Sequence, residues 1–369
     1  MLPDGRGAGR AESGTVMRVA GAVPGDVVRV EDQQRVTPSA DRRAPPCPWD
    51  AQCGGCDLSV LEPAARRTAL ARSVAHAFRT ERVPQVIASP RESGHRARIK
   101  LAIGDQEVGY RPPRSHDIVP VAACLSARPE VQQAHARLRD WLENNDAGRL
   151  SAVEIRSDGT RAVYAFTGSA PGLESLGDVA TDGRRIAGQP TLTLTVDGHA
   201  LRVGPRSFYQ VNLEINELLV RHVRSILVEH GAEAALDLYA GVGNLSLPIA
   251  RTGIPVVAVE APGPGGDDLK YNARQVAGLT AVSRRVEKLD PSRHVYDCAV
   301  LDPPRAGAPG ILPRLALTRP RVIVYVSCHA PSAARDIARL SGYRLSGLTC
   351  FDMFPDTHHI ETVAVLERA

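Results

Sequence analysis

From about residue 214 to the C-terminus, short apolar runs alternate with helical stretches, and this alternation constrains the fold more than any other feature of the chain. Leu213 to Glu229 carries apolar residues at helical spacing, and Ala235 to Tyr239, Val256 to Val259, Ala299 to Leu301 and Val322 to Val326 are the apolar runs. The pattern predicts a doubly wound α/β sheet, because strands covered by helices on both faces read as continuous apolar segments. Ligands of such sheets bind beyond the carboxyl ends of the strands. The chemically suggestive residues of this half fall at those ends.

The rest of the chain reads differently. Residues 1 to 45 are rich in Gly, Val and Arg and predict short strands joined by a Pro24-Gly25 turn, a small β segment followed by a linker over Pro38 to Pro46. A helix is expected over Glu62 to Thr80. Residues 97 to 203 read as mainly β, with alternating runs at Ala162 to Phe166 and Thr191 to Val196 around a helix near Glu130 to Glu143. With 369 residues the chain has room for two or three domains, and we divide it at 1–45, 46–203 and 204–369. Hydrophobic residues at 43% and charged residues at 23% argue against wholesale disorder or a collagen-like chain. No apolar run reaches the roughly 18 residues of a membrane span. Arg6 and Arg10 are not followed by an apolar stretch, as a secretory signal requires, so a cytoplasmic monomer with no membrane partner is expected.

A net charge of +4 neither requires nor excludes nucleic acid, but its distribution is uneven. Residues 60 to 114 hold eleven Lys plus Arg against five Asp plus Glu, with Arg96, Arg98, Lys100, Arg111 and Arg114 close together. That is a candidate phosphate-facing surface. The plain alternative is a general preference for arginine, since only three lysines occur.

Seven cysteines without an export signal argue against a disulfide framework. Cys47, Cys53 and Cys56 lie in C-P-W-D-A-Q-C-G-G-C, and Cys124 stands apart. Thiolates held this close repel one another, and a metal centre is the usual resolution in a reducing compartment. Three local cysteines plus one remote fit a [4Fe-4S] cluster; a zinc site or unliganded thiols are the alternatives. Cys298 and Cys350 sit in apolar surroundings and are expected to be buried.

The first strand ends in L-D-L-Y-A-G-V-G-N-L-S-L, so Gly241 and Gly243 make a tight turn that a ligand can approach closely. A dinucleotide fingerprint wants a third glycine where Ser246 stands. The next strand ends in Glu260, placed to accept hydrogen bonds from two ribose hydroxyls. Together these suggest S-adenosylmethionine, with another nucleotide as the alternative. Three further strand boundaries carry reactive groups: Asp302 before Pro303-Pro304, Cys328 after an apolar strand, and Glu361 at the entrance of the last strand, behind His358 and His359. A thiol at an exposed strand end suits a nucleophile, and a carboxylate beside it suits a general base.

These stretches resemble the uracil-C5 RNA methyltransferase family. The matching motifs are G-P-R-S-F-Y-Q-V-N at 204–212, D-L-Y-A-G-V-G-N at 237–244, V-E-A at 259–261, L-D-P-P-R-A-G at 301–307, V-S-C at 326–328 and F-P-x-T-x-H-x-E at 354–361. The cysteines at 47, 53, 56 and 124 match its iron-sulfur branch, closest to the 23S ribosomal RNA enzymes. The resemblance implies a Rossmann-like S-adenosylmethionine-dependent catalytic domain, a mainly β central domain and a shortened TRAM-like start. It implies that Gln210, Tyr239, Gly241, Gly243, Asn244, Glu260 and Asp302 line the cofactor and target-base pocket, with Cys328 as nucleophile and Glu361 as base. The implied product is 5-methyluridine in RNA, ribosomal RNA first and transfer RNA second, through a cysteine adduct at uracil carbon 6. Departures are His329-Ala330, where members often have Asn-Pro, and Pro262-Gly263-Pro264-Gly265-Gly266 after the ribose carboxylate. The remaining alternatives are another pyrimidine substrate and a non-catalytic RNA-binding protein that keeps the fold.

Overall fold

The computed structural model describes residues 1–2, 4–112 and 115–369, so Arg114 of the basic stretch lies outside the described residues. Its largest sheet has eight strands. Five are parallel, in the order Leu279–Ser283, Val256–Glu260, Ala235–Leu238, Cys298–Leu301 and Val322–Ser327. Glu361–Arg368 then pairs antiparallel with Val322–Ser327, Tyr343–Phe351 pairs antiparallel with it, and Gln85–Ile87 closes the edge in parallel. Strand order reverses between Ala235–Leu238 and Cys298–Leu301, which opens a crevice at their carboxyl ends.

Both faces of these strands are covered, and successive side chains serve opposite faces. Ala235, Cys298, Val300 and Val324 pack beneath the helix Leu213–Glu229, whereas Leu236, Leu238, Ala299, Leu301, Ile323 and Tyr325 form the core on the other side. Such double burial explains the unbroken apolar runs. Cys298 and Cys350 are fully buried, as expected. The mixed α/β fold with a Rossmann-like sheet therefore agrees with the sequence reading. Three strands escaped that reading: Leu279–Ser283, Tyr343–Phe351 and Gln85–Ile87. The last comes from the stretch assigned to the central region, so the large sheet recruits a strand from far upstream.

A second sheet of six strands spans Arg98–Gly104 to Arg184–Ala187 and packs on the helix Pro129–Asn144. The hairpin Leu192–Val196 with His199–Val203 joins the core under Leu213–Glu229. At the N-terminus, Gly7–Arg10 pairs with Val16–Val19 and Val27–Val28 with Arg35–Thr37. Pro24 and Gly25 join the strands Val16–Val19 and Val27–Val28, as expected, and so link the two hairpins. The carboxylate of Asp26 fixes this connection, accepting from Val23 N at 2.8 Å, Ser39 N at 2.9 Å and Arg42 Nε at 2.8 Å. Burial works against its ionisation, yet these donors hold it at about 2. Arg43 is pinned as well, donating to Ser59 O at 2.9 Å and Asp356 Oδ1 at 2.8 Å, so residues 38–46 are tied down and do not form a free tether.

The helix Pro63–Phe78 starts with proline in its first turn and packs beside the helix Ala330–Ile337. Its Arg66 is fully buried and donates to Asp356 Oδ1 and Asp352 Oδ2, both at 2.7 Å. An uncompensated buried charge is costly, so this fork fastens the helix to the loop between the last two strands. That loop leads directly to Glu361. Among the described residues no helix is long and apolar enough to cross a membrane.

Candidate active site

The crevice at the strand reversal is floored by the turn after Ala235–Leu238. Tyr239, Gly241 and Gly243 all adopt left-handed φ, at 62°, 56° and 98°, which folds the chain back under the crevice. Gly241 N donates to Glu260 Oε2 at 2.8 Å, so the turn and the end of the neighbouring strand are held as one unit. Asp237 lies beneath them, 1% exposed, and accepts a short hydrogen bond from Ser246 Oγ. Burial raises it to about 7, and Asp302 and Glu260 add to the shift. Ser246, where a dinucleotide fold would carry glycine, thus solvates a buried acid. Gly266 opens the following helix within 2.6 Å of Ala261 O for any added Cβ, so the glycine-rich departure is a close-packed helix start.

Gln210 is presented by a braced segment. Arg156, 1% exposed, donates to Gly204 O at 2.8 Å and Ser207 O at 2.5 Å, while Asp268 Oδ2 accepts from Gly204 N at 2.6 Å and Ser207 Oγ at 2.5 Å. Asn244 and Asn216 exchange amide hydrogen bonds at 2.8 and 2.9 Å, tying the Gly turn to the helix Leu213–Glu229. Tyr239 donates its hydroxyl to Glu287 Oε1 at 3.1 Å.

Asp302, Cys328 and Glu361 meet at the adjoining strand ends. One side chain, Asp336, ties two of their loops together: it accepts from Ala308 N at 2.7 Å and Tyr325 OH at 3.0 Å. Gly307, at φ 87°, passes so close that a Cβ would lie 2.2 Å from Asp336 Oδ2. The stretch His329-Ala330 is also accommodated. His329 N donates to Ser327 Oγ at 3.0 Å, its Nδ1 lies 2.8 Å from Ser332 Oγ, and the helix Ala330–Ile337 starts with Pro331 in its first turn.

Glu361 is the first residue of its strand and 2% exposed. Burial, then the charge of Asp302, pushes its carboxyl well above the usual range, and burial raises Asp302 as well. The half-buried Cys328 thiol is pushed up to about 11 by burial, with Glu361 and Asp302 adding and the exposed Arg305 opposing. Three proton-holding groups therefore sense one another at one rim. Cys328, His329, His358 and His359 share a narrow opening of about 30 Å³.

The four cysteines of the sequence pattern come together elsewhere. Cys47, Cys53, Cys56 and Cys124 line one cavity of about 540 Å³, with Trp49 and Tyr110 in its wall. Burial raises the Cys53 thiol, and Cys124 and Cys47 raise it further, while Arg96 opposes. The buried Tyr110 hydroxyl faces the Cys124 thiol in this wall and meets no oxygen or nitrogen partner among the described residues. Among the described residues no three His, Cys, Asp or Glu converge as tightly as a single bound ion requires; the sulfurs ring the space.

The family described as tRNA (Uracil-5-)-methyltransferase matches residues 191–369. A 23S rRNA (uracil(1939)-C(5))-methyltransferase of Klebsiella pneumoniae is 32% identical, with 99% of this chain and 94% of that protein aligned. The protein of the same description from Shewanella amazonensis is 34% identical over the same shares. The chain belongs to the RNA uracil-C5 methyltransferase family. A solved family member, the tRNA (uracil-54, C5)-methyltransferase of Pyrococcus abyssi in complex with S-adenosyl-L-homocysteine, superposes with a TM-score of 0.80 at 26% identity, covering 98% of this chain and all of that one.

Several site residues of this family member were not singled out in sequence. Asp237 sits inside a quoted motif, but only burial reveals its raised ionisation. Arg305 was visible beside Asp302, yet its field on Cys328 depends on the fold. The raised Glu361 has a consequence for stability. The native state retains a proton that the unfolded chain releases above about pH 4.3, so the buried carboxyl lowers stability as pH rises from there. Glu361→Gln should melt above the parent at pH 8, with the difference vanishing near about pH 4. Equal melting temperatures at pH 8 would contradict the buried, raised carboxyl.

Proposed function

We propose that the protein transfers a methyl group from S-adenosylmethionine to carbon 5 of a uridine in RNA, in 23S ribosomal RNA by preference. The observation that carries this reading is the meeting of Cys328, Asp302 and Glu361 beside the Gly241–Glu260 turn. The RNA preference is supported by the rRNA enzymes aligned over nearly the full chain. Transfer RNA is the second substrate to test, given the Pyrococcus abyssi enzyme of like fold.

In this reading Glu260 accepts from the ribose hydroxyls of the cofactor, and Gln210, Tyr239, Gly241, Gly243 and Asn244 shape the pocket. Carbon 5 of uracil is a weak nucleophile. The Cys328 thiolate adds to carbon 6, forming a sulfur–carbon bond and sending the ring double bond's electrons toward the carbonyl oxygen. Asp302, raised by burial to about 7 and so partly protonated near neutral pH, donates a hydrogen bond to that oxygen in its protonated form as charge builds. Carbon 5 then bonds the sulfonium methyl, whose bond to sulfur breaks to leave S-adenosylhomocysteine. Glu361, once it has given its own proton up to solvent, takes the carbon 5 proton as a carboxylate, the carbon 5–carbon 6 double bond reforms, and the thiolate leaves. Burial makes Glu361 a stronger base once ionised. A base paired in folded RNA must be turned out of its stack to reach these groups.

The cysteine cavity fits a [4Fe-4S] cluster. Four half-buried thiols ring about 540 Å³, far more room than one ion fills, and the Tyr110 hydroxyl faces one of them, Cys124, as a hydrogen-bond donor toward sulfur. Cys47, Cys53, Cys56 and Cys124 would hold the cluster. When bound it supplies cross-linking of distant chain segments, and methyl transfer itself needs no electron.

Tritium at uracil carbon 5 of 23S ribosomal RNA should be released by the parent protein with S-adenosylmethionine and retained with Cys328→Ala. Release from transfer RNA alone would move the substrate, and no release from either, with folded protein, would overturn the reading. Protein purified without oxygen should be brown and carry about four irons per chain; stoichiometric zinc without labile sulfide would sink the cluster.

A further inference from the structure

The cysteine cavity and the carboxyl that we assign as base lie in different parts of the sequence, yet their chain segments touch. Asp57 directly follows Cys56. Its Oδ1 accepts from His358 N at 3.0 Å, and its Oδ2 lies 2.5 Å from His358 Nδ1. The next residue, Leu58, donates its N–H to Asp356 O at 2.9 Å. Asp356 in turn accepts from Arg43 and Arg66 and forms part of the cysteine cavity's wall. The turn 354–358 is therefore gripped on one side by the residues just after Cys56 and on the other by a buried arginine.

That turn sits beside the nucleophile and runs straight into the base. His358 and His359 border the narrow opening that contains Cys328, and Glu361 starts the strand two residues on. His358 and His359 rings are 4.0 Å apart, so a shift of one displaces the other. Glu361 makes no side-chain hydrogen bond among the described residues that would anchor it, and its position is left to the backbone on either side. On the strand side the pairing with Val322–Ser327 fixes it. On the turn side, Ile360 packs in the cluster of Leu58, Leu70 and Val74, His359 N donates to Thr357 Oγ1 at 3.2 Å, and Asp57 is the side chain from outside the turn that holds His358 by hydrogen bonds.

We infer that Asp57 is a positioning residue, which holds the His358 turn so that Glu361 reaches the carbon 5 proton. The inference rests on the proposed uridine methylation. A displacement of about 1 Å at a reacting group can cost about 100-fold in rate. Losing Asp57 should therefore act at the step Glu361 performs, after the methyl has moved and before sulfur leaves carbon 6. The stalled species is the methylated ring still bonded to Cys328, with its carbon 5 proton in place.

Asp57→Ala should lower kcat by about 10- to 100-fold with the KM for RNA held within about twofold, and should accumulate a methylated protein–RNA adduct resolved on denaturing gels. Asp57→Asn keeps an acceptor for His358 N and should recover most of the activity. His358→Ala removes only the ring half of this contact and keeps the backbone N–H bond, so the double variant should be no worse than Asp57→Ala, as expected when one variant already removes the whole shared interaction. Backbone hydrogen exchange should rise over 354–361 in Asp57→Ala and stay unchanged over 235–243. Unchanged kcat, a raised KM alone, or lost activity without adduct would overturn the inference. If Asp57→Ala does not fold, the same criteria apply to His358→Ala. A parent protein that releases no tritium overturns the methylation itself, and the exchange measurement then still decides whether Asp57 holds the turn.

Discussion

Carboxyl groups crowded into a desolvated rim are the interaction on which the rest depends. Asp237, Glu260, Asp302 and Glu361 all stand at or near strand ends on one rim of the large sheet; burial raises Asp237, Asp302 and Glu361, and repulsion from neighbouring carboxyls adds at Asp237 and Glu361. Such a cluster costs stability, and the fold bears it because its strands are fixed by cores on both faces. The loop between the last two strands shows the contrast within a few residues. Asp352 and Asp356 are matched by the buried Arg66, whereas Glu361, a few positions on, pairs with no cation among the described residues. The matched acids anchor the loop, and the unmatched one is left free to exchange a proton.

The same economy governs the nucleophile. A thiol raised to about 11 is unreactive at rest; burial holds it there, and any charge on the two neighbouring carboxyls adds to the effect. Keeping both carboxyls protonated, as burial favours, or drawing Arg305 closer, favours the thiolate. Chemistry at the rim is therefore coupled: the charge on each group sets the proton affinity of the others. The loops that carry them are correspondingly stiff, with Asp336 bridging the Asp302 and Cys328 loops.

Much of this was legible in sequence where the signal is local. The helix Leu213–Glu229 and the central strands follow from apolar periodicity, and Asp302, Cys328 and Glu361 fall at the strand ends inferred from it. What was missed depends on distant partners. Gln85–Ile87 is too short to declare itself and exists as a strand only by pairing with Thr349–Phe351. Tyr343–Phe351 carries a bulge between Leu345 and Gly347 that breaks its alternation. The Asp57–His358 contact joins residues 301 positions apart, which no window of sequence contains. The N-terminal strands and the Pro24-Gly25 turn that joins two of them were legible, but which strands pair was not, because a turn signal does not say what lies beside what.

The covalent step is the centre of this account, and RNA bearing 5-fluorouridine tests it most directly. Fluorine leaves Glu361 no carbon 5 proton to take, so sulfur cannot be expelled once the methyl has moved. Intact-mass measurement with S-adenosylmethionine should show one RNA plus one methyl group attached to the parent protein, and peptide mapping should place the attachment at Cys328. Attachment at another residue, or methyl transfer to uridine RNA with no trapped species on the fluorinated RNA, would contradict it.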